Sequence, residues 1–135
     1  MLGELLYEET GQVTSIEVLP PEDGGVVLKV SLQAAGQIQG VEHTSLWTYT
    51  STTRPDGSIF GQGRGVLTTA DGDVVHILGR ASDQSGGPGS PVNYRGAFHF
   101  ETRSAKFSRL NGMAAVFEYD VSADGKAAGK IWEWT

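Results

Sequence analysis

The chain has 135 residues, with 16 Asp or Glu against 10 Lys or Arg for a formal net charge of −6, 19 glycines and no cysteine. That length supports one compact domain, 1–135, burying roughly 65–70 % of its unfolded surface, and the composition excludes a disulfide framework, a thiolate metal site and a cysteine nucleophile. The acidic balance without a basic cluster speaks against a nucleic-acid partner, no apolar run reaches the roughly 20 residues that span a bilayer, and Met1-Leu2-Gly3-Glu4 is no secretion signal, so the expected location is the cytoplasm.

Glycine is used about twice as often as the ordinary ~7 %, yet it is spread between apolar and β-branched runs. Period two dominates, and no amphipathic helical stretch is found, so the chain reads as all-β. Residues 12–19 carry Thr14, Ile16 and Val18 on one face, and Pro20-Pro21-Glu22-Asp23-Gly24-Gly25 turns the chain because Pro fixes φ and Gly permits positive φ. In the next strand Val26, Leu28, Val30, Leu32 and Ala34 alternate with polar neighbours, which predicts that the even positions face inward. Residues 39–53, rich in Thr, Val, Trp and Tyr, pair with 58–70 through Arg54-Pro55-Asp56-Gly57. Asp71-Gly72-Asp73 leads into 74–81, and 83–91 is a flexible Gly/Ser/Pro loop placed over one mouth. Strands at 92–103, 113–121 and 127–134 follow, with an irregular connection at 104–110 and a turn at 122–126. Eight strands or nearly nine, with turns at roughly 8–12 residue spacing, predict a barrel or sandwich. The mixed faces of Trp132, Trp134 and Lys130 against Ile131 and Glu133 favour a single-domain antiparallel eight-stranded barrel of calycin-like or similar type.

Gly61, Gly63 and Gly65 fall on one face of a strand. No helix follows them, so they do not form a phosphate loop; they either seat aromatic rings or leave ligand space. His43, His76 and His99 stand on three strands without metal-ligand spacing and read as ordinary strand residues; no metal or other cofactor is expected. Carboxylates within strands, Glu42, Glu101, Glu118 and Glu133, are candidates for the lumen. There one of the first three could act as a general acid or base beside Arg64, Arg80 or Arg95; solvated outer positions are the alternative. Trp47, Tyr49, Tyr94, Phe98, Phe117 and Trp132, with Arg64, are the candidate ligand-binding set, because rings around a few polar groups hold apolar molecules. The rings serve equally as core or interface. No Gly-x-Ser-x-Gly elbow occurs.

Ala105-Lys106-Phe107-Ser108-Arg109-Leu110-Asn111-Gly112 resembles the connection carried by allene oxide cyclase-like and dirigent-like barrels. The order of the Tyr94-Arg95-Gly96 strand and the hairpin after Met113 is similar too, so the resemblance spans the chain from Gly61 onward. It implies an eight-stranded antiparallel barrel with a hydrophobic cavity, assembled as a dimer or trimer through its outer face. It also implies cyclase or isomerase chemistry on a reactive lipophilic intermediate assisted by a glutamate, whereas the rings, the glycine face and the lack of a catalytic motif point to binding of a small lipophilic molecule. A structural oligomer with a filled barrel is the third expectation.

Overall fold

A computed structural model describes residues 1–84 and 90–135. The strands are β1 (Leu2–Glu22), β2 (Gly25–Ile38), β3 (Val41–Thr53), β4 (Ser58–Thr69), β5 (Val74–Gln84), β6 (Val92–Thr102), β7 (Ala115–Val121) and β8 (Lys126–Trp134). Each pairs antiparallel with its sequence neighbours, and β1 also pairs with β8, which closes the barrel and removes the sheet edges. Eight strands leave an interior just wide enough for side chains.

The first strand departs most from the sequence expectation. It begins at Leu2, not residue 12, and runs through Glu22. Its pairing with β8 covers Leu2 to Gln12, and a bulge between Val13 and Ser15 then shifts its register against β2. Beyond that point β1 runs past the end of β8 and overhangs that end of the barrel, paired with β2 alone. Ile16, Val18 and Val26 are consequently exposed, whereas Val30, Leu32 and Ala34 are buried as the alternation predicts. The loop expected over 83–91 falls mainly on residues outside those described; its first two residues continue β5 to Gln84. The irregular connection expected at 104–110 runs on to Ala114, since β7 begins at Ala115 and not at Met113, and it includes a 3₁₀ turn, Ser108–Gly112.

The 3₁₀ turn plugs the end of the barrel opposite the overhang. Phe107, Leu110 and Met113 are buried there with Leu67, Val75 and Ile131. Asn111 fixes the plug to β6: its Oδ1 accepts the Thr102 backbone N–H at 2.8 Å and its Nδ2 donates to the Thr102 carbonyl at 3.0 Å. Asn111→Ala removes both bonds and is expected to lower stability by roughly 1–3 kcal/mol, read as a shift in the urea midpoint at unchanged slope. An unshifted midpoint would mean the plug does not depend on this clamp.

Lumen packing follows a rule visible along the hydrogen-bonded rows. Tyr49, Gly63, Gly79 and Phe98 are successive partners across β3, β4, β5 and β6. Trp47 likewise opposes Gly65, and Tyr119 opposes Gly129. A Cβ at Gly65, Gly79 or Gly129 would overlap the Trp47, Phe98 or Tyr119 ring respectively. The bare glycine face therefore seats rings, and large and small side chains alternate so that a narrow barrel can hold eight aromatic residues of its interior without strain.

Candidate functional site

Midway along the lumen stands a carboxylate that sequence reasoning passed over. Glu9, only 2 % exposed, faces inward from β1 between two glycines, Gly36 on β2 and Gly129 on β8. Gly36 pairs in turn with His43 of β3, and Gly129 with Tyr119 of β7. The missing side chains on either side let residues two strands away in both directions reach one carboxylate. Oε1 accepts from His43 Nε2 at 3.1 Å and Ser45 Oγ at 2.5 Å. Oε2 accepts from Trp47 Nε1 at 2.9 Å and the Tyr119 hydroxyl at 2.6 Å.

A carboxylate offers about four lone-pair directions, and here four donors occupy them. Burial alone would push the Glu9 carboxyl up, but the hydrogen bonds from His43, Ser45 and Tyr119 together outweigh it and hold the group below its ordinary value. Glu9 is thus an anion in a buried interior. The same environment pushes the Tyr119 hydroxyl up, first through burial and then through the Glu9 charge, so Tyr119 remains a donor. Tyr7 stacks on the His43 ring at 4.7 Å between centroids, and its hydroxyl is pushed up by burial and by Glu9. Among the described residues, the Tyr7 hydroxyl and His43 Nδ1 are buried without a hydrogen-bond partner. Ser45 and His43 both bond to Glu9 and not to each other, so the cluster is not a nucleophilic triad.

Above this network, toward the overhang, lies a cavity of about 50 Å³. Its wall includes Leu32, Trp47, Tyr49, Tyr94, Phe98, Phe117 and Tyr119, with Gly61, Gly63 and Gly79 between the rings of β3 and those of β6. Phe98 is stacked between Trp47 and Phe117, at 5.2 and 3.7 Å between ring centroids. Trp47 and Tyr119 belong to both structures: each lines the cavity and donates to Glu9. Tyr94 meets Tyr49 edge to face at 5.8 Å and shares a 2.7 Å hydrogen bond with Ser51. Two larger hollows, of about 840 and 520 Å³, are grooves on the outer wall flanking Thr10 and Gln12.

Five of the seven residues expected to bind a ligand, Trp47, Tyr49, Tyr94, Phe98 and Phe117, meet around this one cavity. Arg64 and Trp132 do not. Arg64 is exposed on the outer wall opposite Thr48 and Leu78, and Trp132 lies half-buried outside, against Val116. Their strands' inward positions belong to Gly63, Gly65 and Ile131 instead. The lumen places expected for Glu42, Glu101 and Glu118 are corrected in the same way: all three are exposed, because His43, Phe100 and Thr102, Phe117 and Tyr119 take the inward phase of their strands. Glu118 pairs with Arg95 at 3.7 Å on that outer surface, and Glu133 with Arg109 at 3.2 Å. Within Tyr7-Glu8-Glu9-Thr10-Gly11, the signal for Glu9 was the phase it shares with Tyr7 and Gly11, obscured by an adjacent glutamate and by a strand taken to begin three residues later.

No family model matches this chain, and no match was found among curated proteins. Solved structures do resemble it. A conserved protein of unknown function from Rhodopseudomonas palustris superposes with a TM-score of 0.81 at 17 % identity, covering 99 % of both chains. A protein of unknown function from Clostridium acetobutylicum gives 0.81 at 15 % identity, with 98 % of each chain covered. A β-barrel-like protein from Acinetobacter baumannii gives 0.79 at 16 % identity over 96 % of this chain and 94 % of that one. An enzyme from Penicillium herquei gives 0.64 at 20 % identity, covering 96 % and 92 %. At these identities the likeness establishes the architecture, and the closed eight-stranded antiparallel barrel is a fold this chain shares with all four.

Proposed function

We propose that the protein binds a small lipophilic molecule in the upper lumen, between the Glu9 network and the overhanging end. One observation carries this reading: the buried carboxylate fixes Trp47 and Tyr119, the two residues through which the network reaches the cavity wall. A barrel that needed only to pack has no need of such a network, since apolar residues of similar volume often serve as well in place of buried, paired charge. A network that orients cavity-lining rings is how a binding site is held ready. The cavity of about 50 Å³ sets the scale. One water needs ~10–15 Å³, so the site as it stands takes roughly three or four heavy atoms. Drug-sized ligands occupy ~300–1,000 Å³ and would require the rings to part.

The resemblance to allene oxide cyclase-like and dirigent-like barrels supports the same region as the site, and it offers a second reading as a cyclase or isomerase. Glu9 supports that reading by being ionised in an apolar interior. Its lone pairs are already filled, so a substrate would meet the Tyr119 hydroxyl, with Glu9 as the proton acceptor behind it. Native mass spectrometry of gently purified protein tests the binding reading and counts subunits, two or three on the resemblance. A retained apolar species is expected. A bare polypeptide mass after exposure to broad cell extract would leave a filled structural barrel and contradict the proposal.

A further inference from the structure

Tyr94 is the first residue of β6 to line the cavity. It lies two residues inside the start of β6, while its hydrogen-bond partner Ser51 lies two residues before the end of β3, both at the overhanging end. Between them on β4 is Gly61, and the Tyr94 ring crosses its bare Cα: an added Cβ would lie 2.8 Å from Cε1 and 3.2 Å from Cζ. The side chain thus bridges β6 to β3 over two intervening strands, seated on a glycine and latched by one hydroxyl pair. Resting on the binding reading above, we propose that Tyr94 is the gate of this chamber and that the chamber selects uncharged molecules carrying one hydrogen-bonding oxygen.

The charge selection follows from Glu9. An anion entering the lumen would meet a buried carboxylate with no lysine or arginine among the buried residues. A cation would lose its hydration among apolar walls and find every lone pair of Glu9 already taken. Neutral polar groups fare better. Tyr49 lines the cavity as a half-buried ring; burial pushes its hydroxyl up, so it stays protonated and able to donate.

Trp47 reports on entry, because it lines the chamber and is nearly sealed from solvent at 6 % exposure. With Trp132 and Trp134 replaced by Phe, its fluorescence is quenched by whatever passes the gate. Acrylamide, a small neutral amide, serves as probe, with iodide and caesium as charged controls. Tyr94→Phe keeps the ring and removes the latch, and Ser51→Ala removes it from the other side. Each is expected to raise acrylamide quenching about fivefold, the population shift that one net hydrogen bond supports, while neither ion gains. Gly61→Ala displaces the ring from its seat and should act in the same direction. Unchanged acrylamide quenching in the natively folded Tyr94→Phe and Ser51→Ala proteins would overturn the gate. Equal gains for iodide or caesium would overturn the charge selection. A protein that retains a ligand in the mass spectrum but shows no gating keeps the binding reading and loses this inference; gating without a retained or titratable ligand does the reverse.

Discussion

Glu9→Gln is expected to destabilise the protein by roughly 2–4 kcal/mol at neutral pH, a fall in melting temperature on the order of 10 °C. The amide presents an NH₂ where a carboxylate oxygen stood, so one donor pair, His43 with Ser45 or Trp47 with Tyr119, loses its acceptor in the buried lumen. The loss should depend on pH in a defined direction. The folded carboxyl is held below its ordinary value of 4.5, so its stabilisation is complete above that value and disappears as the pH falls through the folded one. The gap between parent and variant is therefore full at pH 7 and narrows below about 4.5. Thermal melts from pH 7 to pH 3 measure it. A gap that stays constant across this range would mean that Glu9 is not the ionised centre of the network.

The second large effect is steric. Gly79→Ala places a Cβ inside the Phe98 ring, and Phe98 cannot turn aside because Trp47 and Phe117 stack on it from both sides. A loss of about 3 kcal/mol is expected, at the upper end of overpacking costs. Phe98→Leu in the Gly79→Ala background should recover part of it, since a smaller side chain vacates the contested space. Strict additivity of the two substitutions in chemical denaturation would contradict the proposed interlock.

These two sites also show what the sequence made legible. Alternation and turn chemistry were enough for an eight-stranded antiparallel barrel, because Pro-Asp-Gly and Asp-Gly turns and period-two strands are local properties. The glycine face of Gly61, Gly63 and Gly65 was local too, and seating the rings was one of its two readings. Which rings would share a cavity was partly accessible, since Tyr49, Tyr94, Phe98 and Phe117 lie in the inward phase of their strands. Glu9 was hidden for a physical reason: its partners lie 34 to 110 residues away, and they meet it only because register sets Gly36 and Gly129 on either side. The phase of Glu42, Glu101 and Glu118 was equally non-local. In strands with mixed faces, a carboxylate in an alternating pattern points inward or outward according to closure of the barrel, which no single strand specifies.

The central claim is that the upper lumen is a binding chamber and not merely a packed core. Its most direct test is a titration of the protein whose only tryptophan is Trp47, using propan-2-one and, in parallel, the acetate anion of equal heavy-atom count, with fluorescence as readout. A saturable change in Trp47 emission with the ketone and none with the carboxylate is predicted, since the ketone can fit the aromatic wall and the anion would face Glu9. The same unsaturable, bulk-solvent response to both, in parent and in Tyr94→Phe alike, would contradict the chamber and leave a barrel filled by its own side chains.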